Sequence, residues 1–377
     1  MENKIQMVDL QGQYRKIKDK IDEAIVSVIH EGVFINGNEV KEFALELANY
    51  NSVKNVITCA NGTDALQIAM MALDFKHGDE IIVPAFTYVA TVEVISLLGL
   101  TPVFIDVLPG TFELDATQLK SKITSRTVCI VPVHLYGQCS NMEEILKVAK
   151  ENNLRVIEDV AQALGSEYTF RSGLKQKAGT IGDIGTTSFF PSKNLGCYGD
   201  GGAIMTNDSE LAQKIRMIAN HGQKEKYIHE VVGVNSRLDT IQAAILRIKL
   251  SYLNEYNKAR NSVAERYDKA FEGLTDILIP ERATFSTHVF HQYTVKVKSG
   301  SRDELKKFLQ SKNIPSMIYY PLPLHLQKAY RGYGYPEGSF PVSERLCEQV
   351  LSLPIHSEMK EDQQAFIIDN IFNFFNV

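Results

Sequence analysis

The stretch Leu154-Arg155-Val156-Ile157-Glu158-Asp159 is a short apolar run that ends in two carboxylates. Four similar runs precede it, at residues 55–59, 79–84, 101–106 and 127–132. Helical patterns lie between them, the clearest at residues 63–70 and 92–95. Short apolar runs that alternate with helices are typical of an α/β fold with a mostly parallel sheet. Because such sheets bind ligands beyond the carboxyl ends of their strands, the residues that follow each run are the candidate site residues.

The rest of the chain predicts a smaller domain attached through a helix. Apolar residues at helical spacing predict one long helix over residues 240–271, after a Gly-rich turn and a strand at 199–206. The sequence then predicts a strand at 291–297, a helix at 302–312 and a closing helix from about Asp362. We therefore expect a large domain over residues 1–255 and a small C-terminal domain over residues 256–377.

Composition excludes several classes of protein. The 377 residues carry a net charge of −5, which offers no basic surface for nucleic acid or for an anionic membrane. No segment approaches the length of apolar chain that crosses a membrane, and the N-terminus lacks a signal-peptide pattern. The five cysteines are scattered without a C-x-x-C pair, which argues against a metal site or a disulfide framework. We expect a cytoplasmic protein without a bound metal.

One lysine lies in a segment unlike a typical solvated loop. Ser188-Phe189-Phe190-Pro191-Ser192-Lys193-Asn194-Leu195-Gly196 surrounds Lys193 with aromatic, proline, leucine and glycine residues. Such neighbours would partly desolvate the ammonium group, which lowers its pKa and frees the amine to form a Schiff base. The alternative is a lysine on an exposed surface loop.

Asp159 ends the fifth apolar run and is followed by Val160-Ala161-Gln162. A carboxylate at a buried strand end needs a partner, and a protonated pyridine nitrogen would serve as one. Gln162, three residues later, would face the same site if the chain turns helical there. The alternative is that Asp159 only caps the next helix.

Two further segments supply the remaining parts of a site. Cys59-Ala60-Asn61-Gly62-Thr63-Asp64 passes from a strand end into a helix start, where free N–H groups suit a phosphate and Thr63 and Ser188 can add hydroxyls. Tyr88, after the strand that ends at Pro84, can stack on a flat ring. Helix capping and core packing are the alternatives for each segment alone. Together, an amine, an acid, a phosphate cradle and a flat face meet the requirements of pyridoxal phosphate.

The combination resembles the DegT/DnrJ/StrS family of sugar aminotransferases, which have the aspartate-aminotransferase fold (fold type I). The resemblance covers nearly the whole chain and is carried by residues 32–37, 61–66, 158–162, 188–193, 199–203 and 233–239. It implies a mixed, mostly parallel sheet with a smaller α+β C-terminal domain. It also implies a cytoplasmic enzyme that uses pyridoxal phosphate, with pyridoxamine phosphate as the aminated form, and glutamate as the amino donor.

The resemblance also implies a role for each candidate residue. Lys193 would hold the cofactor and move protons, and Asp159 would bind its pyridine nitrogen. Tyr88 would stack on its ring, and Gln162 would contact its ring hydroxyl. Gly62, Thr63 and Ser188 would hold its phosphate. Asn235 is similar to a residue that reaches the cofactor phosphate of the neighbouring subunit, which implies a homodimer with shared active sites.

Substrate choice depends on smaller differences. Family members that act at sugar C4 tend to carry His two residues after the Ser, whereas this chain has Phe190, as in the branch that acts at C3. Residues 192–200 and 233–240 resemble enzymes that aminate UDP-2-acetamido-2-deoxy-3-oxo-glucuronate for surface polysaccharide, in which Arg237 would suit an anionic group. Where that subgroup tends to have His-Tyr-Pro, this chain has Tyr319-Tyr320-Pro321, which keeps a hydrogen bond but not a positive charge.

Three other functions compete with this prediction. The chain could be a 3-aminotransferase for dTDP-linked deoxysugars, which lack a carboxylate. It could also be a regulator that keeps the fold without catalysis, although the full set of Lys193, Asp159 and Gln162 argues against this. Family members that use pyridoxamine phosphate for dehydration replace the lysine with His, so Lys193 argues against that reaction.

Overall fold

The computed structural model describes residues 5–298 and 300–376. The first nine strands, in chain order, are β1 (Asn55–Cys59), β2 (Glu80–Pro84), β3 (Thr101–Ile105), β4 (Thr127–Ile130), β5 (Arg155–Asp159), β6 (Glu167–Thr169), β7 (Lys175–Lys177), β8 (Ile184–Ser188) and β9 (Gly202–Thr206). Seven of them form the central sheet in the order β1-β9-β8-β5-β4-β2-β3. Only β9 runs antiparallel to its neighbours, so the predicted mixed and mostly parallel sheet is confirmed.

Helices cover both faces of this sheet. They are α1 (Leu10–Glu31), α2 (Asn38–Asn51), α3 (Gly62–Ala72), α4 (Ala90–Leu97), α5 (Leu119–Lys122), α6 (Met142–Glu151), α7 (Ser209–Ala219) and α8 (Thr240–Leu250). Neighbouring residues of one strand point to opposite faces, so Ile82 of β2 packs in one hydrophobic core while Ile81 and Val83 pack in another. Burial on both faces explains why these strands read as continuous apolar runs.

The remaining elements form a separate hairpin and a smaller three-stranded sheet with its helices. They are the hairpin β10 (Gln223–Glu225) and β11 (Ile228–His229), the helices α9 (Leu253–Phe271), α10 (Arg302–Ser311), α11 (Pro341–Gln349) and α12 (Glu361–Phe375), and the strands β12 (Ile277–Leu278), β13 (Tyr293–Val297) and β14 (Val350–Leu353). The last three strands pair antiparallel around β13. They share a separate hydrophobic core with α9, α10 and α12. The domain boundary near residue 255 stays a prediction.

The single long helix predicted over residues 240–271 is wrong, because the chain forms two helices there. Tyr252, between them, has φ −103° and ψ −2°. The Ser251 hydroxyl donates to the Ile248 carbonyl, and this local bond competes with continuation of the helix. None of the helices in the described ranges is long and apolar enough to span a bilayer.

Glu158 fixes the strand end on which Asp159 lies. Its side chain is fully buried and accepts hydrogen bonds from the backbone N–H groups of Gly179, Ile181 and Gly182, at 2.9, 2.7 and 2.7 Å. The buried His134 ring adds a contact at 2.9 Å between Nε2 and the Glu158 carboxylate. Because Glu158, His134 and Gly179 are buried, and Ile181 and Gly182 are partly so, the carboxylate ties the loop before β8 to the end of β5.

Glu158→Ala should therefore lower the free energy of unfolding by about 3–5 kcal/mol, since it leaves buried N–H groups without an acceptor. Glu158→Gln should cost less, because its amide oxygen still accepts two of the bonds. Chemical denaturation of the two variants measures the difference. An equal loss for both would contradict this account of the Glu158 carboxylate.

Candidate active site

A cavity of about 750 Å³ opens beyond the carboxyl ends of the central strands. Its lining includes nine residues that the sequence singled out, namely Gly62, Thr63, Tyr88, Asp159, Gln162, Ser188, Lys193, Tyr319 and Tyr320. Phe190 lines the same cavity. Residues from five separate segments therefore meet in one place. Four of these segments follow strand ends, as the sequence predicted, and the role of each residue stays a prediction.

The loop that carries Lys193 follows β8 and is anchored by α8 and α9. Asn194 Nδ2 donates to Asn257 Oδ1 of α9 at 2.7 Å. The buried Lys249 of α8 donates through Nζ to the Gly196 carbonyl. Both contacts hold residues that lie within three positions after Lys193. They therefore limit where the Lys193 side chain can enter the cavity.

The Lys193 amine lies in a desolvated position. Burial lowers its pKa from the ordinary 10.5 to about 8, although the negative charge of Asp159 acts in the opposite direction. A much larger fraction of this amine is therefore neutral near pH 7 than in an exposed lysine. A neutral amine is the form that attacks an aldehyde.

Asp159 is 7% exposed and ends β5 on the same cavity as Lys193. Its Oδ1 accepts from the Ala161 N–H at 3.1 Å, and its Oδ2 accepts from the Thr91 hydroxyl at 2.9 Å. No lysine or arginine in the described ranges forms a salt bridge with this carboxylate. It can therefore take a cationic ring nitrogen as its partner.

Gln162 is held between two tyrosines. Its Oε1 accepts from the Tyr136 N–H at 2.9 Å, and its Nε2 donates to the Tyr320 hydroxyl at 3.1 Å. Tyr88 is 56% exposed, and its ring centroid lies 6.2 Å from that of Tyr320 with a tilt of 40°. This arrangement leaves one face of Tyr88 free for a flat ligand.

The start of α3 forms the candidate phosphate cradle. The side chain of Asn61 caps the helix by accepting from the Asp64 N–H at 2.8 Å. A Cβ atom at Gly62 would lie 2.6 Å from Cβ of Ser188, so only glycine allows the helix start to approach the end of β8 this closely. The approach brings the Ser188 hydroxyl beside the N–H groups of the first helical turn.

The residues present fit pyridoxal phosphate. Two buried hydroxyls on the cavity wall, those of Thr87 and Thr187, have no hydrogen-bond partner, so a polar group in the cavity could satisfy them. The cavity also offers a reactive amine, an unpaired carboxylate and a helix N-terminus. Each matches one chemical part of the cofactor: the aldehyde, the ring nitrogen and the phosphate.

Asn235 and Arg237 do not line this cavity. They lie in the segment between β11 and α8, where Asn235 is exposed. Ser236, between them, is buried, and its hydroxyl donates to the Asp64 carboxylate at 2.6 Å. This hydrogen bond attaches the segment to the first turn of α3. Within one chain, the structure therefore does not bring these two residues to the other candidates.

Sequence reasoning missed Tyr136 and His291 of the cavity wall, and Thr91, which contacts a wall residue without lining the cavity itself. Thr91 bonds Asp159, Tyr136 bonds Gln162, and His291 lines the wall near Lys193. Thr91 had a signal, because it lies in the segment after β2 that the strand-end rule selects. Tyr136 lies beyond the end of β4 and could have been found in the same way. His291 had no such signal, since it precedes a strand of the smaller sheet.

The sheet, with an amine and a carboxylate facing one cavity at its strand ends, defines a pyridoxal-phosphate-dependent transferase of fold type I. Residues 15–372 match the model of the DegT/DnrJ/EryC1/StrS aminotransferase family, and the chain belongs to this family. The predicted family, fold and enzyme class are thereby confirmed.

Several relatives are similar over nearly the whole chain. The UDP-2-acetamido-2-deoxy-3-oxo-D-glucuronate aminotransferase of Pseudomonas aeruginosa is 45% identical over 352 residues, 93% of this chain and 95% of that protein. A pleiotropic regulatory protein of Geobacillus stearothermophilus is 44% identical over 373 residues, 98% of each chain. The dTDP-3-amino-3,4,6-trideoxy-alpha-D-glucose transaminase of Streptomyces venezuelae is 39% identical over 368 residues, 98% of this chain and 95% of that protein.

Solved structures agree with this assignment. A family aminotransferase from Brucella abortus superposes with a TM-score of 0.93 at 41% identity, covering 98% of this chain and 99% of that one. NtdA from Bacillus subtilis, solved with pyridoxamine phosphate bound, gives a TM-score of 0.91 at 30% identity, covering 100% of this chain and 86% of that one. Pyridoxal phosphate, with pyridoxamine phosphate as its aminated form, is the cofactor of this aminotransferase.

The lowered pKa of Lys193 gives a pH prediction. In the protein freed of cofactor, covalent uptake of pyridoxal phosphate should rise with pH through a midpoint of about 8, because only the neutral amine reacts. The rate of uptake, followed by borohydride trapping and peptide mapping, measures this midpoint. Lys193→Arg is the matched control and should trap no label. A midpoint of about 10, as for an exposed lysine, would show that the amine is not desolvated.

Proposed function

We propose that this sugar aminotransferase moves an amino group from glutamate to the C3 ketone of a UDP-linked sugar, with UDP-2-acetamido-2-deoxy-3-oxo-glucuronate as the substrate. The observation that carries the reaction type is the placement of Lys193 and Asp159 on one cavity at the ends of neighbouring strands. The similarity to the P. aeruginosa enzyme supports the sugar and the nucleotide. Phe190, which lines the cavity where C4-acting members tend to have His, supports reaction at C3.

Each candidate residue then has one task. Bound pyridoxal phosphate supplies an aldehyde that takes up the amino group and a ring that accepts electrons from the broken C–H bond. Lys193 Nζ removes the proton from Cα of glutamate, and in the second half of the reaction it delivers a proton to C3 of the sugar. Asp159 keeps the ring nitrogen protonated. Glutamate leaves as 2-oxoglutarate, and the keto sugar leaves as the amino sugar.

The cavity wall also bears on substrate choice. Tyr319 and Tyr320 both line it, and the Tyr136 hydroxyl donates to the Tyr319 carbonyl. Two tyrosines in this place can donate hydrogen bonds to a sugar but supply no positive charge. Recognition of a uronate by the predicted residue Arg237 then requires that it come from a second copy of the chain.

Two alternatives have support among the relatives. The S. venezuelae transaminase acts on a dTDP sugar, and the G. stearothermophilus relative is described as a regulatory protein. The dTDP sugar is favoured by the absence of any lysine or arginine other than Lys193 among the described residues of the cavity wall, since a deoxysugar needs no cation. A regulator without catalysis would have no need of a desolvated Lys193.

A substrate panel distinguishes these functions. When glutamate is added, purified protein loaded with cofactor should lose the absorbance that arises from the bond between the cofactor aldehyde and Lys193. Subsequent addition of the UDP-3-oxo-glucuronate should restore that absorbance faster than a dTDP-3-keto-6-deoxyhexose does. Preference for the dTDP sugar would select the first alternative. Lack of any change with glutamate would select the regulator and sink the proposal.

We further propose that the active enzyme is a homodimer with shared sites. Asn235 and Arg237 lie outside the cavity of their own chain. The surface beside them exposes several large apolar side chains to solvent. The neighbouring residues Val33, Phe34 and Ile35 are 48, 46 and 47% exposed, and the Phe34 carbonyl accepts from the start of α8 at 2.9 Å. A second copy that covers this apolar surface would bring Asn235 towards the partner's cavity.

Mixing two inactive variants tests the shared site. Lys193→Ala and Asn235→Ala should each be inactive or nearly so alone. After the two are unfolded and refolded together, half of the dimers should be mixed, and each mixed dimer should contain one intact site. The mixture should therefore recover about a quarter of wild-type activity. Recovery of none, with dimers verified by light scattering, would mean that Asn235 acts within its own subunit.

A further inference from the structure

His291 is a buried histidine of the cavity wall to which the mechanism above gives no task. It is 6% exposed and lies just before β13. Its Nδ1 is shut off from solvent without a hydrogen-bond partner, and no described residue bonds its Nε2. Since buried polar atoms are nearly always satisfied, a wall residue with free ring nitrogens points to a ligand in the cavity.

Arg260 of α9 lies directly behind this histidine. Its guanidinium is 3% exposed, and Nη1 donates to the carbonyls of Phe290, His291 and Ile355 at 3.1, 3.3 and 3.0 Å. No carboxylate in the described ranges forms a salt bridge with it. Burial lowers its pKa to about 10, so the group still carries its charge at neutral pH. A buried positive charge without a carboxylate partner in the described ranges therefore lies behind His291 of the cavity wall.

The His291 ring itself is neutral. Burial, followed by the positive charges of Lys193 and Arg260, holds its pKa well below the ordinary 6.5. A neutral ring can donate one hydrogen bond without adding charge, while Arg260 supplies the attractive field behind it. A donor backed by an unpaired cation suits an anionic oxygen better than a sugar hydroxyl.

We infer that His291, with Arg260 behind it, forms a carboxylate-binding subsite in the cavity. The inference rests on the proposed function, because a carboxylate can come from two of its reactants, the amino donor glutamate or the uronate of the sugar. The subsite lies on the same wall as Lys193, the group that takes the proton from Cα of the donor. His291 would therefore hold the bound carboxylate while the neighbouring carbon reacts.

Binding of glutarate to the cofactor-loaded protein tests the subsite without any turnover. His291→Leu should weaken glutarate about 10- to 100-fold in calorimetry, the usual effect of losing a hydrogen bond to a charged group. His291→Gln should keep most of the affinity, since its amide can still donate. Glutaramide, the uncharged diamide, should bind wild-type protein at least tenfold more weakly, on the order expected for loss of the charge.

His288→Leu is the matched control. His288 is also buried, its Nδ1 accepts from the Phe290 N–H at 2.9 Å, and it stands outside the described cavity wall. Its loss should lower stability but leave glutarate affinity unchanged. Equal weakening in His288→Leu and His291→Leu, or unchanged glutarate binding in His291→Leu, would overturn the subsite.

Half-reactions identify the source of the carboxylate. A raised KM for glutamate in His291→Leu assigns the subsite to the donor. A raised KM for a 3-keto-glucuronate nucleotide, with none for the matching 3-keto-glucosamine nucleotide, assigns it to the sugar. An equal rise for the uncharged sugar would contradict carboxylate binding. Because glutarate binding needs no reaction, failure of the proposed transamination would be seen separately, as wild-type protein that binds glutarate but does not react with glutamate.

Discussion

Strands β5 and β8 lie side by side in parallel, with Asp159 of β5 in register with Thr186 of β8. This pairing places the carboxylate of Asp159 two residues short of the end of β8, after which the chain turns to present Lys193. The acid and the amine are far apart in sequence, and only the pairing of the two strands sets them on one cavity. A shift of the register by one residue would turn Asp159 to the other face of the sheet and remove it from the cavity.

The two adjacent carboxylates at the end of β5 illustrate how burial separates structural from chemical roles. Glu158 accepts three backbone N–H groups and contacts a buried histidine, so its charge is fully used by the fold. Asp159 accepts only two hydrogen bonds and faces the cavity. The number of unsatisfied acceptors, rather than the residue type, distinguishes the carboxylate that can serve a cofactor.

The buried cations also differ in whether protein groups already occupy their hydrogen-bonding positions. The Lys249 ammonium group donates a hydrogen bond to the Gly196 carbonyl and so holds the loop after Lys193. Lys193, in contrast, lies on the wall of the cavity. Arg260 bonds three carbonyls but has no anion near it in the described ranges. A buried charge without a counter-ion is costly, and this cost is the physical basis of the carboxylate subsite inferred at His291.

The sequence by itself determined the alternation of strands and helices, the cofactor class and seven residues of the cavity, because apolar runs mark buried strands and ligands bind at their ends. It could not determine the break between α8 and α9, since local hydrogen bonding at Ser251 interrupts a pattern that is helical on both sides. Nor could it place His291 on the cavity wall beside Lys193, or Arg260 behind His291. Those relations join distant segments through packing, and packing has no signal in the spacing of residues along the chain.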